Sequence, residues 1–159
     1  MLAASAAHAT SLQWALDTVE AALIVHGDAR PAAGAVGQSL ALDGSSVIEL
    51  KDSASLHAGG DGFTFSVWFN PYAFEGQQQM IAGKNRYSLN EREWGITIDP
   101  DCKLRAHIQQ GGWSEITAAD PLQAGHWHLA TLTIIAGKAA LFLNGDRKST
   151  RLNSSHTDI

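Results

Sequence analysis

Short apolar or alternating segments, separated by Gly, Asp, Asn and Pro, recur along most of this chain. The clearest example covers residues 63–70 and reads FTFSVWFN, with an apolar residue at every other position. Strict alternation predicts a β-strand with one buried face, and closely spaced turn residues favour antiparallel connections. We therefore predict an all-β antiparallel sandwich and exclude βαβ units.

The pattern predicts a series of short strands. They fall at residues 39–42, 47–50, 63–70, 79–84, 93–98, 103–109, 114–118, 127–135 and 139–143. In the strand at 103–109, Leu104 and Ile108 alternate with Arg105 and His107, so the two polar residues should face outward. Asn144-Gly145 is a type I′ hairpin signal, but we expect the partner strand after it to be missing from this chain.

Four motifs follow one another in a fixed order. They are Leu-x-Leu-Asp-Gly at 40–44, Phe-Thr-x-x-x-Trp-x-x-Pro at 63–71, Gly-x-Trp-His-x-Ala at 125–130 and Leu-Phe-x-Asn-Gly at 141–145. Their joint order resembles the LamG-like (laminin G-like) domains of the concanavalin A-like lectin/glucanase superfamily. This resemblance implies a concanavalin A-like jelly roll that serves as a binding module in exported bacterial proteins. It therefore also implies an extracellular or cell-surface location.

The chain divides by composition into three parts. Residues 1–33 form an N-terminal segment and linker, in which 11–25 predict a short helix with Ser11 as its N-cap, or alternatively a first strand at 13–16. Residues 34–145 form the LamG-like sandwich, incomplete at its C-terminus. Codons for 146–156 can spell a common sequencing adapter, and we interpret 146–159 as a non-native tail rather than a natural polar linker.

Charge and apolar content narrow the class of partner. The formal net charge of the 159 residues is −5, which disfavours nucleic acid because phosphate binding needs a basic surface. No apolar stretch approaches the length of a membrane span. Cys102 is the only cysteine, so an intramolecular disulfide is excluded. The partners we expect are a carbohydrate or glycan ligand and other domains of a longer parent chain.

The carboxylates do not form a recognisable catalytic pair. Glycoside hydrolysis needs two carboxyl groups that face one sugar, and the glucanase motif Glu-x-Asp-x-x-Glu is absent. Glu91 and Glu93 share a strand face, but we favour solvated charges over a catalytic role. His126 and His128 have a spacing that suits zinc if His107 converges with them, although we favour sheet-surface histidines beside a packed Trp127.

Calcium is the metal that the resemblance implies, since such domains often carry one in a loop at the sandwich rim. Asp43, Asp99 and Asp101 lie in predicted turns and have the oxygen ligands that calcium prefers. They do not form a complete Asp-x-Asp-x-Asp-Gly loop. We therefore favour turn formation as their role and retain calcium as the alternative.

Exposed aromatic residues are the strongest candidates for ligand binding. Sugar rings have apolar faces that stack on indole, while their hydroxyls need polar neighbours. Trp68 with Asn70 on the strand at 63–70, and Trp113 after a Gly-Gly pair, fit this description, as do the outward-facing Arg105 and His107. For Trp68, burial as a scaffold residue is an open alternative.

These observations predict a non-catalytic carbohydrate-binding or glycan-binding module of a larger exported bacterial protein. The alternative is a protein-interaction or adhesion domain, or a structural accessory domain beside a catalytic one. A glucanase is the third class, and we do not expect the chain itself to be an enzyme.

Overall fold

The computed structural model describes residues 23–52, 56–58, 62–86, 91–109 and 112–152. Within these residues it contains twelve β-strands and no α-helix. The predicted all-β class is therefore confirmed. The chain divides into two compact units, Met1–Leu56 and His57–Ile159. No helix in the described part is long and apolar enough to cross a membrane.

The first unit contains two antiparallel strand pairs. Strand β1 (Leu23–His26) pairs with β4 (Val47–Leu50), and β2 (Arg30–Ala33) pairs with β3 (Gln38–Ala41). Gly37 has a φ of 64°, which glycine adopts without steric cost, and this turn returns the chain alongside β2.

Two expectations for the N-terminal segment need correction. Most of the helix predicted over 11–25 lies outside the described residues, as does the alternative strand at 13–16, but residues 23–25 belong to β1. The segment predicted as a linker contains β2. Its Pro and Ala residues do not follow a strand pattern, but pairing with β3 supplies main-chain hydrogen bonds that hold it as a strand.

The second unit consists of two four-stranded antiparallel sheets. One has the order β12 (Asp146–Leu152), β11 (Lys138–Leu143), β10 (His128–Ile135) and β5 (Gly62–Phe69). The other has the order β6 (Gln79–Arg86), β7 (Glu91–Ile98), β8 (Lys103–Gln109) and β9 (Trp113–Pro121).

A continuous apolar core lies between these two sheets. Leu104 on β8 and Leu132 on β10 are both fully buried. Trp94 joins the sheets through ring contacts with Phe63 at 5.1 Å and Phe65 at 4.7 Å between centroids. Burial of each large apolar side chain contributes about 1.5–3 kcal/mol, so this core fixes which side chains of each strand face outward. The predicted alternation is confirmed along β5, and along β8 except at His107, which is buried.

Two tight turns connect β10, β11 and β12 in succession. Ala136 and Gly137 have φ values of 48° and 73°, and Asn144 and Gly145 have 53° and 84°. Positive φ at both central residues defines the type I′ turn. The predicted Asn144-Gly145 turn is therefore confirmed.

The strand that we expected to be missing is present. Residues 146–152 pair with β11, with one irregularity between Leu141 and Phe142. The type I′ turn directs the chain back along β11, and ladder hydrogen bonds join main-chain groups, so the polar composition of this segment does not prevent pairing. The adapter-encoded origin of 146–159 stays a prediction, as do the predicted domain boundaries.

Candidate functional site

The outer face of the β6–β9 sheet carries a connected group of polar and aromatic side chains. We call this group the Trp113 network; its members are Gln78, Thr97, Asp99, Arg105, His107, Trp113 and Glu115. Strands β7, β8 and β9 supply most of them, because alternation directs every second residue away from the core. His107 lies directly opposite Glu115 in the β8–β9 register.

Arg105 lies at the charged centre of the network. Its guanidinium forms ion pairs with Asp99 and Glu115, and Nη1 donates to Oε2 of Glu115 at 2.8 Å. The Asp99 side chain is only 4% exposed, so it needs this cation. The Gln78 amide also donates to Oδ1 of Asp99 at 3.2 Å.

His107 connects the charged centre to the aromatic end. Its Nε2 lies 3.0 Å from Oγ1 of Thr97, and its Nδ1 lies 3.4 Å from Oε1 of Glu115. Burial lowers the pKa of His107 below its ordinary value, although the negative charge of Glu115 partly opposes this. The imidazole is therefore neutral near pH 7.

Trp113 is held in a defined position while remaining accessible. Its Nε1 donates to Oε1 of Glu115 at 3.1 Å, and its ring stacks on His107 with centroids 5.3 Å apart. The guanidinium carbon of Arg92 lies 5.6 Å from the centroid of the indole. Trp113 is nevertheless 42% exposed, so part of the indole is open to solvent.

The Glu115 carboxylate connects Arg105, His107 and Trp113. Partial burial raises the pKa of this carboxyl, but the hydrogen bond from Trp113 and the positive charge of Arg105 outweigh that effect, and its pKa lies below the ordinary value. Glu115 is therefore ionised at neutral pH and accepts hydrogen bonds.

The other sheet carries the second exposed tryptophan. On the outer face of β5 and β10, Trp68 is 48% exposed and lies opposite Leu129. Nearby, the hydroxyls of Ser66 and Thr131 are 2.9 Å apart, and Asn70 is exposed directly after β5. We call this surface the Trp68 face. The alternative that Trp68 is buried is therefore wrong.

The structure groups the predicted ligand-binding residues into two sets. Arg105, His107 and Trp113 lie together in the Trp113 network, whereas Trp68 and Asn70 lie on the other sheet. Glu115, Gln78 and Thr97 were missed. The outward position of Glu115 follows from the alternation of β9, but its contact with Arg105 follows only from the β8–β9 register, which the sequence does not encode as a motif.

The three predicted calcium ligands do not converge on one site. Asp43 in the first unit accepts hydrogen bonds from both the main chain and the hydroxyl of Ser45 and Ser46, which lower its pKa to about 2. Asp99 pairs with Arg105, and Asp101 lies 3.3 Å from Nζ of Lys103. Among the described residues, no three His, Cys, Asp or Glu side chains are grouped to hold a metal ion.

The remaining candidate groups have structural contacts. Nδ1 of His126 and Nε2 of His128 hydrogen bond to main-chain carbonyls, at 3.1 and 3.0 Å. His126 is exposed, but the prediction that His128 lies on the sheet surface is wrong, because it is buried against Phe69. Glu93 pairs with His57 at 2.8 Å and accepts from the Ala58 amide at 3.2 Å.

The laminin G family model of the concanavalin A-like lectin/glucanases superfamily matches residues 42–159, and the chain belongs to this superfamily. The chain is similar in structure to Domain 4 of AbnA, a GH43 extracellular arabinanase from Geobacillus stearothermophilus, solved with arabinotriose. The TM-score is 0.65 at 18% identity, over 82% of this chain and 65% of that one.

A lower similarity, with a TM-score of 0.46 and 19% identity, is to a putative carbohydrate binding protein from Bacteroides ovatus, over 57% of this chain and 26% of that one. A search of curated protein sequences finds no match. At 18% identity, the similarity to the AbnA domain establishes the fold alone, and the chain spans 65% of that domain's length.

Proposed function

We propose that this protein is a non-catalytic carbohydrate-binding module and that its ligand binds on the Trp113 network. The observation that carries the proposal is the accessible indole of Trp113, fixed by Glu115 beside His107 and other polar side chains. Sugars require this combination, because an indole stacks on their C–H faces while neighbouring polar atoms bind their hydroxyls.

Preorganisation of the network supports this proposal. Arg105, His107 and Trp113 are each held by Glu115, so they lose little conformational freedom when a ligand binds. The AbnA domain was solved with arabinotriose, which supports a sugar as the ligand class for this fold.

The carboxylates support binding without turnover. A general acid in glycoside hydrolysis needs a raised pKa, whereas the pKa of Glu115 lies below its ordinary value. Glu93 accepts from the Ala58 amide and forms ion pairs with His57 and Lys84. A glucanase is therefore the class that these contacts favour least.

We further propose that the chain is a domain of a larger exported bacterial protein, on the basis of its superfamily. A protein-interaction or adhesion domain is the alternative. The observation that favours this alternative is Trp68, a large aromatic side chain that is 48% exposed and does not belong to the Trp113 network.

A glycan array with three proteins tests the proposal: the wild type, Trp113→Ala and the matched control Trp68→Ala. We expect sugar-dependent binding by the wild type and a loss of at least about tenfold in affinity for Trp113→Ala, as for a central aromatic contact. Trp68→Ala should remain within about twofold of wild type. A wild type that binds no sugar would favour the protein-interaction class, and release of new reducing ends would contradict the non-catalytic assignment.

A further inference from the structure

The charged groups of the Trp113 network pair with one another. Two carboxylates, Asp99 and Glu115, pair with the guanidinium of Arg105, and a second guanidinium, that of Arg92, lies over the Trp113 ring. His107 adds no charge near pH 7, since burial lowers its pKa. The network therefore contains one more carboxylate than cation, and the chain as a whole is also acidic.

The cation at the centre of the network is engaged by two anions. Both terminal nitrogens of Arg105 contact carboxylates, one on Asp99 and one on Glu115. A ligand carboxylate or sulfate that approached Arg105 would have to displace one of them. Displacement from Asp99 would leave a nearly buried carboxylate without its cation, which is strongly unfavourable.

Uncharged sugars do not meet this obstacle. Hydroxyl groups donate hydrogen bonds, and the ionised carboxylate of Glu115, whose side chain is 38% exposed, can accept them, whereas that of Asp99 is nearly buried. Such bonds are charge-assisted and stronger than bonds between neutral groups. An anionic sugar would instead place like charges close together.

We infer that the Trp113 network selects uncharged, hydroxyl-rich glycans and discriminates against glycans that carry uronate or sulfate groups. This inference rests on the proposed function, because it assigns the chemical class of ligand to the same site. Selectivity then arises from charge pairing between β7, β8 and β9, whereas Trp113 supplies contact that any pyranose or furanose can share.

The test uses an array on which each neutral oligosaccharide is printed in three forms. The first form is unmodified, the second has a primary hydroxyl oxidised to a carboxylate, and the third is the methyl ester of that carboxylate. The ester retains the altered carbon but not the charge. We expect wild-type protein to bind the ester at least about fivefold more tightly than the acid, as for one like-charge contact near the surface.

The variant Glu115→Gln sharpens the test. It removes one negative charge from the network, so the ratio between ester and acid should fall by at least about threefold. Asp146→Asn is the matched control, because it changes the net charge equally at the start of β12 on the other sheet, and its ratio should equal that of the wild type.

The outcomes separate this inference from the proposed function. Equal or tighter binding of the acid, lost in Trp113→Ala, would overturn the charge inference and keep sugar binding. An unchanged ratio in Glu115→Gln would also overturn it. Absence of binding to every glycan would overturn both. If Glu115→Gln fails to fold, the comparison of ester and acid with wild-type protein still decides.

Discussion

The Trp113 network and the Trp68 face each present a tryptophan of similar exposure, 42% and 48%, yet they differ in how the ring is supported. Trp113 has a hydrogen bond to Glu115 and a stacked His107. Trp68 has an apolar neighbour across the strand pair, Leu129, and a separate pair of hydroxyls nearby. Exposure alone therefore does not define a binding site, because only the first ring is joined to polar groups that can contact the same ligand.

Strand register produces this difference. In the β8–β9 pair, His107 and Glu115 lie opposite each other on the outer side of the sheet. The register therefore brings a carboxylate next to an imidazole. In the β10–β5 pair, Thr131 faces Ser66 and Leu129 faces Trp68. The outward residues named there are uncharged.

The largest expected contrast concerns stability. Arg105→Ala leaves the Asp99 carboxylate without its cation, and we expect a loss of about 2 kcal/mol in the free energy of unfolding, below the value for a fully buried pair because Arg105 is partly exposed. Ser66→Ala on the Trp68 face should cost less than about 0.5 kcal/mol. Urea unfolding measures both losses. Equal losses would show that the side chains of the Trp113 network contribute no more to stability than those of the Trp68 face.

A smaller contrast concerns how the indole is held. Trp113→Phe keeps an aromatic ring but loses the N–H that donates to Glu115, so we expect glycan affinity to fall about threefold, as for one neutral-to-charged hydrogen bond at a partly exposed position. Trp68→Phe should leave affinity unchanged. Calorimetric titration with the tightest array ligand compares them, and full affinity in Trp113→Phe would show that fixation by Glu115 is unimportant.

A pH dependence should distinguish the faces further. Burial lowers the pKa of His107 from 6.5 in the folded chain, so the unfolded chain takes up more protons as the pH falls below about 6.5. Stability from this group is present above that pH and is lost as the pH falls toward the folded pKa. Urea unfolding between about pH 7.5 and pH 5 should give a shallower dependence for His107→Gln than for wild type or Ser66→Ala. Identical profiles would contradict this assignment.

The smallest effect should be the coupling between Ser66 and Thr131. Their hydroxyls are 2.9 Å apart in an exposed position, where water replaces the lost bond at little cost. A double-mutant cycle with Ser66→Ala and Thr131→Val should give a coupling energy below about 0.5 kcal/mol. A larger value would mean that the Trp68 face also contains a coupled network.

Periodicity predicted the parts of the fold in which one face is buried. The strand at 103–109 matches β8, and Arg105 lies on its outer face as predicted, because a core on one side imposes a period of two. His107 shares that face but is buried against Trp113 and Thr97. The four-residue strand β2 was not predicted, since it is too short for a period and its pairing with β3 is tertiary. Prediction of the site was limited because it, too, depends on which strands pair and in which register. Trp113 is conspicuous as a residue type, whereas the role of Glu115 depends on which residue of β8 lies opposite.

The two successive type I′ turns have a consequence for the order of folding. They join β10, β11 and β12 through loops of two residues, so these strands can pair with little loss of loop entropy. Pairing of β5 with β10, by contrast, brings together residues such as Ser66 and Thr131 that are 65 positions apart. Contacts of high sequence separation slow folding. We therefore expect the C-terminal meander to form first and to provide β10 as the edge on which β5 later assembles, so that substitutions in the Ala136-Gly137 turn slow folding while substitutions in β5 mainly accelerate unfolding.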